Sequence, residues 1–135
     1  MREGLTVHFD NSTWRKPQCT LEAFGSFIIP ELEPTLDDSS VGNPSLVHEI
    51  TFNGNTYRAT NSSIEYAAMA SIIWPCLPST PIDVLEIGGG YGGLARTFLR
   101  SREINSYTIV DIPEVGRCSA FFLKEFPNAR VIDPE

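Results

Sequence analysis

The chain has 135 residues, with 17 acidic against 10 basic side chains and a formal net charge of -7. That length holds one domain at most. The acidic balance, with no clustered Lys and Arg, excludes a surface built for nucleic acid or for an anionic membrane. A hydrophobic fraction of 41% suits a folded core rather than a disordered chain.

No stretch approaches the ~20 apolar residues of a membrane span. The first eight residues, Met1 to His8, contain no long apolar run of the kind a signal peptide needs. The expected setting is therefore cytoplasmic. Cys19, Cys76 and Cys118 are odd in number, far apart and without a CxxC, which predicts reduced, buried thiols. No His/Cys cluster has ligand spacing, so no metal is expected.

Residues 1–45 are punctuated by Pro17, Pro30, Pro34 and Pro44. They predict an irregular arm packed on the domain through Phe24 to Ile29, a short buried strand or an apolar plug. Asp37-Asp38-Ser39-Ser40 reads as a solvated loop. Residues 47–59 then alternate around Asn53-Gly54, a pair that accepts the positive φ values of a type I′ turn, and predict a β-hairpin. Residues 61–75 predict a helix. Ser62 and Glu65 form its capping box, Ile64, Ala67, Ala68, Ser71 and Ile72 its apolar stripe, and Pro75 its stop.

After a Pro-rich link the pattern becomes regular. Ile82 to Ile87 reads as a buried strand. Gly92 to about Arg102 reads as a helix, with Leu94, Ala95, Phe98 and Leu99 on one face. Tyr107 to Val110 is a second strand, ending at Asp111. Pro113 to Phe126 is a second helix, and Ala129 to Ile132 starts a third strand. Strand, helix, strand, helix, strand predicts an α/β fold of parallel βαβ units with right-handed crossovers.

The stretch VLEIGGGYGG, residues 84–93, joins the first of these strands to its helix. A glycine-rich turn there lets a ligand approach the backbone, at the carboxyl end of the strand where open α/β sheets bind ligands. Two frames fit. Gly88, Gly90 and Gly93 match G-x-G-x-x-G, the dinucleotide fingerprint, with Asp111 in place for a ribose. Glu86, Gly88, Gly90 and Gly92 match E-x-G-x-G-x-G, which resembles motif I of the class I S-adenosylmethionine-dependent methyltransferases. Glu86 favours the second frame. At close range its charge would repel a pyrophosphate by a few kcal/mol, on the order expected at an effective dielectric near 20, whereas S-adenosylmethionine is cationic at its sulfonium and ammonium and has no phosphate.

EIGGGYGGLAR, YTIVDIPEV and FFLKEFPNARVI together resemble the sugar O-methyltransferase family over about residues 61–132. The resemblance implies a partial Rossmann-like methyltransferase sheet preceded by a β-hairpin and a helix. Residues 1–60 would be an N-terminal arm and 61–135 the first half of the methyltransferase domain. It implies S-adenosylmethionine as cofactor and a sugar or other small-molecule hydroxyl as acceptor. Glu86, Gly88, Gly90 and Gly92 would line the methionine part, with Gly89 and Tyr91 in the same loop. Asp111 would hold the ribose hydroxyls, Ile112 would lie near the adenine, and Asp133 would reach its edge.

Only 43 residues follow Gly92 (135 minus 92), and a βαβ unit takes about 30 or more. Half a sheet is therefore expected, with Ile82 to Ile87 an exposed apolar edge open to self-association. No catalytic base is assigned. His8 and His48 are the only histidines, and neither has a partner pattern that marks a base. Two alternatives remain: a nicotinamide-binding fragment of an oxidoreductase, and a non-catalytic remnant that folds with a partner supplying the missing strands.

Overall fold

A computed structural model describes residues 16–38 and 47–132. His8 and Asp133 lie outside the described residues. The elements are, in order, helix α1 (Pro17–Phe24), strands β1 (His48–Phe52) and β2 (Asn55–Ala59), helix α2 (Asn61–Ile73), strand β3 (Ile82–Ile87), helix α3 (Gly93–Ser101), strand β4 (Ile104–Val110), helix α4 (Pro113–Phe122) and strand β5 (Ala129–Ile132). The fold is α/β: a three-stranded parallel sheet in the order β3-β4-β5, and a separate antiparallel hairpin of β1 and β2. No described helix is long and apolar enough to cross a membrane.

Residues 16–38 are more regular than their prolines suggest, and Pro44 lies outside the described residues. Pro17 starts α1, where its missing N–H costs nothing. Residues Pro30–Leu36 form a 3-10 helix. Pro34 has no N–H to give Pro30 an α-type bond, so the turn tightens to i→i−3 bonds such as Leu32 N–H to Ile29 O at 3.0 Å. Phe24 to Ile29 is neither a strand nor a buried plug: the helix end, a 3-10 turn and a short extended link leave Phe24 and Phe27 exposed and bury Ile28. Leu32 and Leu36, not singled out in the sequence, are fully buried.

The hairpin turns at Asn53-Gly54 as expected, both with positive φ (49° and 83°). Glu33 ties it to the 3-10 helix by accepting from the Asn53 and Asn55 amides and the Tyr57 hydroxyl. Helix α2 starts at Asn61, as expected, but its cap lies two residues before Ser62. The capping pair is Thr60 with Ser63, in reciprocal bonds of 3.1 and 3.0 Å, and not Ser62 with Glu65. Ile64, Ala67, Ala68 and Ser71 face inward, but Ile72 points to solvent. The regular helix ends at Ile73 and a 3-10 turn carries Pro75.

Two clusters fill the interior. Leu21, Ile28, Leu36, Ile50, Ala59 and Ile64 join α1, the hairpin and α2. Leu32, Ala70, Phe98, Tyr107, Ile109 and Leu123 join the 3-10 helix, α2, α3 and the sheet. The small side chains of α2 let it serve both.

Both βαβ crossovers run from β3 towards β5, so a right-handed connection puts α3 and α4 on one face of the sheet. Ile82, Val84 and Glu86 turn to that face. Strand β3 is therefore half-covered rather than buried: Leu85 and Ile87, on the other face, are 65% and 81% exposed. It is also the edge strand, as expected. Strand β4 begins three residues earlier than expected, and α4 ends at Phe122 rather than Phe126.

The three cysteines are free but exposed, not buried. Each sits on the outer side of a helix or turn, and next to Cys118 the inward position of α4 belongs to Ser119, which is fully buried.

Candidate functional site

The glycine loop leaves the carboxyl end of β3 beside Asp111, at the carboxyl end of β4. The Gly88 amide continues the ladder by donating to Val110 O at 2.8 Å. Gly88, Gly90 and Gly92 all have positive φ (74°, 57° and 92°), backbone that side chains with a Cβ rarely adopt.

The Gly90 peptide is held from both sides. Its N–H donates to Asp111 Oδ2 at 2.9 Å, and its carbonyl accepts from the buried Ser119 hydroxyl of α4. Asp111 Oδ1 accepts from the Ile112 N–H at 2.8 Å. Asp111 thus fixes the loop while keeping acceptor capacity, since a carboxylate offers about four lone-pair sites. Ile112 is exposed beside it.

The loop residues divide into two sets. At Gly88 and Gly90 the space a Cβ would take is open, so these two present backbone to solvent. Gly89, Gly92 and Gly93 face the protein. A Cβ on Gly89 would stand 2.8 Å from Ile109 Cγ2, and one on Gly92 would stand 3.0 Å from Leu123 Cδ1. Tyr91 also turns inward, edge-on to Phe122 and Tyr66 with ring centroids 4.9 and 5.8 Å away. Glu86 lies beneath the loop and accepts from the Tyr107 hydroxyl at 3.0 Å through Oε2.

Burial holds the Glu86 carboxyl above its usual range, the Tyr107 bond opposes this, and the Asp111 charge adds to it. Burial likewise raises Tyr107, Tyr91 and Tyr66, helped at Tyr107 and Tyr66 by the charge of Glu86. No phenol in this group is a base near neutral pH.

The raised Glu86 pKa makes a stability prediction. The folded state prefers the protonated acid, so the contribution is complete below the unfolded value near 4.5 and is lost as pH rises through the higher folded value. Urea midpoints of the wild type should therefore fall relative to Glu86→Gln as pH rises from 4 through the carboxylate range. Parallel profiles would show that Glu86 is no more buried folded than unfolded.

Behind the loop lies a group the sequence did not reveal. Arg96 of α3 is buried and pairs with Asp38 Oδ1 at 3.3 Å, with Glu125 Oε1 3.6 Å from its Nε and its guanidinium over the Phe122 ring. Asp38 also accepts from the Thr60 hydroxyl at 2.8 Å. It is a buried acid at the α2 cap, not part of a solvated loop. With Tyr66, Tyr91, Ser63 and Thr97 the pair lines a small polar cavity. A charge pattern along α3 shows an arginine but not which face it takes, and nothing near Asp38 in sequence points to Arg96.

His48 is exposed on β1, opposite Ala59. Among the described residues no group of three His, Cys, Asp or Glu is placed to hold a metal ion. No protein-family model matches the sequence, and no curated protein matches it significantly.

Proposed function

We propose that the chain supplies the cofactor-binding part of a Rossmann-like, S-adenosylmethionine-dependent methyltransferase, with a hydroxyl, by family resemblance that of a sugar, as acceptor. One observation carries this. The two loop glycines with open space, Gly88 and Gly90, follow the carboxyl end of β3, next to that of β4, and lie between two carboxylates, Glu86 and Asp111. Such a site favours a ligand that is cationic and free of phosphate.

The residues fit that ligand. Asp111 has lone pairs left for two ribose hydroxyls after its bonds to Gly90 and Ile112. Ile112 offers an exposed apolar surface for a base. Glu86 offsets positive charge from below the loop. Bound S-adenosylmethionine would supply a methyl group activated by its sulfonium, and the chain would contribute position and electrostatics. The general base for the acceptor hydroxyl is not assigned to any described residue.

Gly93 supports a second reading, nicotinamide binding. It is a close-packing position, as the third glycine of the dinucleotide frame is. Charge weighs against it, because Arg96, the nearest buried cation, is turned to Asp38 and Glu125.

Calorimetric titration with S-adenosylhomocysteine, with NAD as control, separates the two. Saturable binding of S-adenosylhomocysteine is expected, weakened by about tenfold or more in Asp111→Ala, which loses both ribose bonds and the Gly90 clamp. NAD binding in preference to S-adenosylhomocysteine would select the oxidoreductase reading. No binding of either by folded protein would remove both.

A further inference from the structure

Ser119 is the only polar side chain that α4 buries, and it is fully buried. Alanine there would be the better helix former and would put no polar atom in the interior. A local partner is within reach, since the Val115 carbonyl one turn back lies 3.2 Å from the hydroxyl. Yet the shorter bond goes to the Gly90 carbonyl, 29 positions away in the chain. The hydroxyl therefore serves the glycine loop rather than its own helix.

Peptide geometry says what it does there. The described peptide bonds are all trans, and a trans peptide points its C=O and N–H in opposite directions. With the Gly90 carbonyl drawn to Ser119, the N–H of the same peptide, that of Tyr91, is turned away from α4. Its neighbours have partners: Gly88 N–H donates to Val110 O, Gly90 N–H to Asp111 and Gly92 N–H to Gly89 O. Tyr91 N–H meets no acceptor among the described residues. Gly89 N–H meets none either, but Gly89 is buried against Ile109. Gly90 has a φ of 57° and open space where a Cβ would stand. Glycine tolerates many other backbone angles, so the peptide after it needs a fixed partner to hold one direction.

We propose that Ser119 is a positioning residue of the cofactor site, which acts through the Gly90–Tyr91 peptide to aim the Tyr91 N–H at the carboxylate of the ligand's amino-acid part. This rests on the reading of the loop as an S-adenosylmethionine site. In that reading Asp111 takes the ribose hydroxyls and Glu86 offsets the positive charge. The remaining donor calls for an acceptor, and the carboxylate is the strongest one the ligand carries.

The test is calorimetric titration of the wild type, Ser119→Ala, Ser119→Cys and Asp111→Ala with two ligands. One is S-adenosylhomocysteine. The other is methylthioadenosine, which keeps the nucleoside and the sulfur but lacks the amino-acid part. Ser119→Ala should bind S-adenosylhomocysteine about tenfold more weakly and methylthioadenosine as the wild type does. Asp111→Ala should weaken both. Ser119→Cys has nearly the same shape and a weaker donor, so its S-adenosylhomocysteine affinity should fall between those of the wild type and the alanine variant. It carries the test if the alanine variant does not fold, which amide NMR spectra of each protein reveal.

An equal loss for both ligands would overturn the proposal, because Ser119 would then only hold the loop together. No loss for either ligand would overturn it as well. Both outcomes require binding by the wild type, so they leave the cofactor reading standing. Folded wild type that binds neither ligand would remove that reading and the role of Ser119 with it.

Discussion

Asp38→Ala is expected to cost about 3–5 kcal/mol, because it leaves a buried charge without its main partner. Asp38 accepts from Arg96 at 3.3 Å and from Thr60 at 2.8 Å. Arg96 is only 5% exposed, so water cannot replace the lost carboxylate. Glu125, at 3.6 Å and half exposed, can recover only part of it. Against a typical domain stability of about 5–15 kcal/mol, the variant should be partly unfolded at 37 °C. A urea titration of both proteins measures the loss. Asp38→Ala combined with Arg96→Met should regain most of it, since removing both charges from a buried pair is often close to neutral. A loss below about 1 kcal/mol for the single variant would mean that the pair is solvated.

Gly93→Ala is the second large effect, and it reverses the usual expectation. Alanine in place of a helical glycine normally stabilises by about 1 kcal/mol. Here the added Cβ would lie 2.3 Å from Tyr66 Cε2 and 2.7 Å from the Tyr91 hydroxyl oxygen. Neither ring moves easily. Tyr91 is also held edge-on to Phe122, and Tyr66 belongs to α2. Overpacking of this kind costs about 1–3 kcal/mol. The variant should lose that much in urea, change its near-UV circular dichroism through the two tyrosines, and weaken any ligand that depends on the loop. A stabilised variant would show that α2 and α3 do not approach so closely at Gly93.

How much was legible in the sequence differs between the two halves of the chain. In residues 82–132 the periodicity located each strand and helix, and the glycine loop between β3 and α3 was marked by residue types that have few other uses. Local chemistry was enough there. Asn53-Gly54 marked the hairpin turn for the same reason. The proposed ligand residues were likewise placed together: Gly90 and Asp111, 21 positions apart, share a hydrogen bond because parallel pairing of β3 and β4 aligns their carboxyl ends.

Residues 16–38 were not legible. Their prolines suggested irregularity, yet Pro17 and Pro30 each occupy a first helical position, where proline is favoured. Leu32 and Leu36 gave no period that distinguishes core from surface in a 3-10 turn. The sequence also could not divide the loop glycines into those that face solvent and those that face protein, because Gly92 and Gly93 are set by Leu123, Tyr66 and Tyr91, residues far from them in the chain or turned towards them only on folding.

Local sequence by itself determined the order of elements in the sheet, the turn types and the acid-flanked glycine loop, since propensity and backbone freedom act over a few residues. Only the tertiary structure decided that Asp38 is buried against Arg96, that Ser119 and Asp111 clamp Gly90, and that Leu85 and Ile87 of β3 are exposed. Those outcomes depend on which distant groups compete for the same buried space and the same hydrogen bonds, and that competition is resolved only when the elements pack.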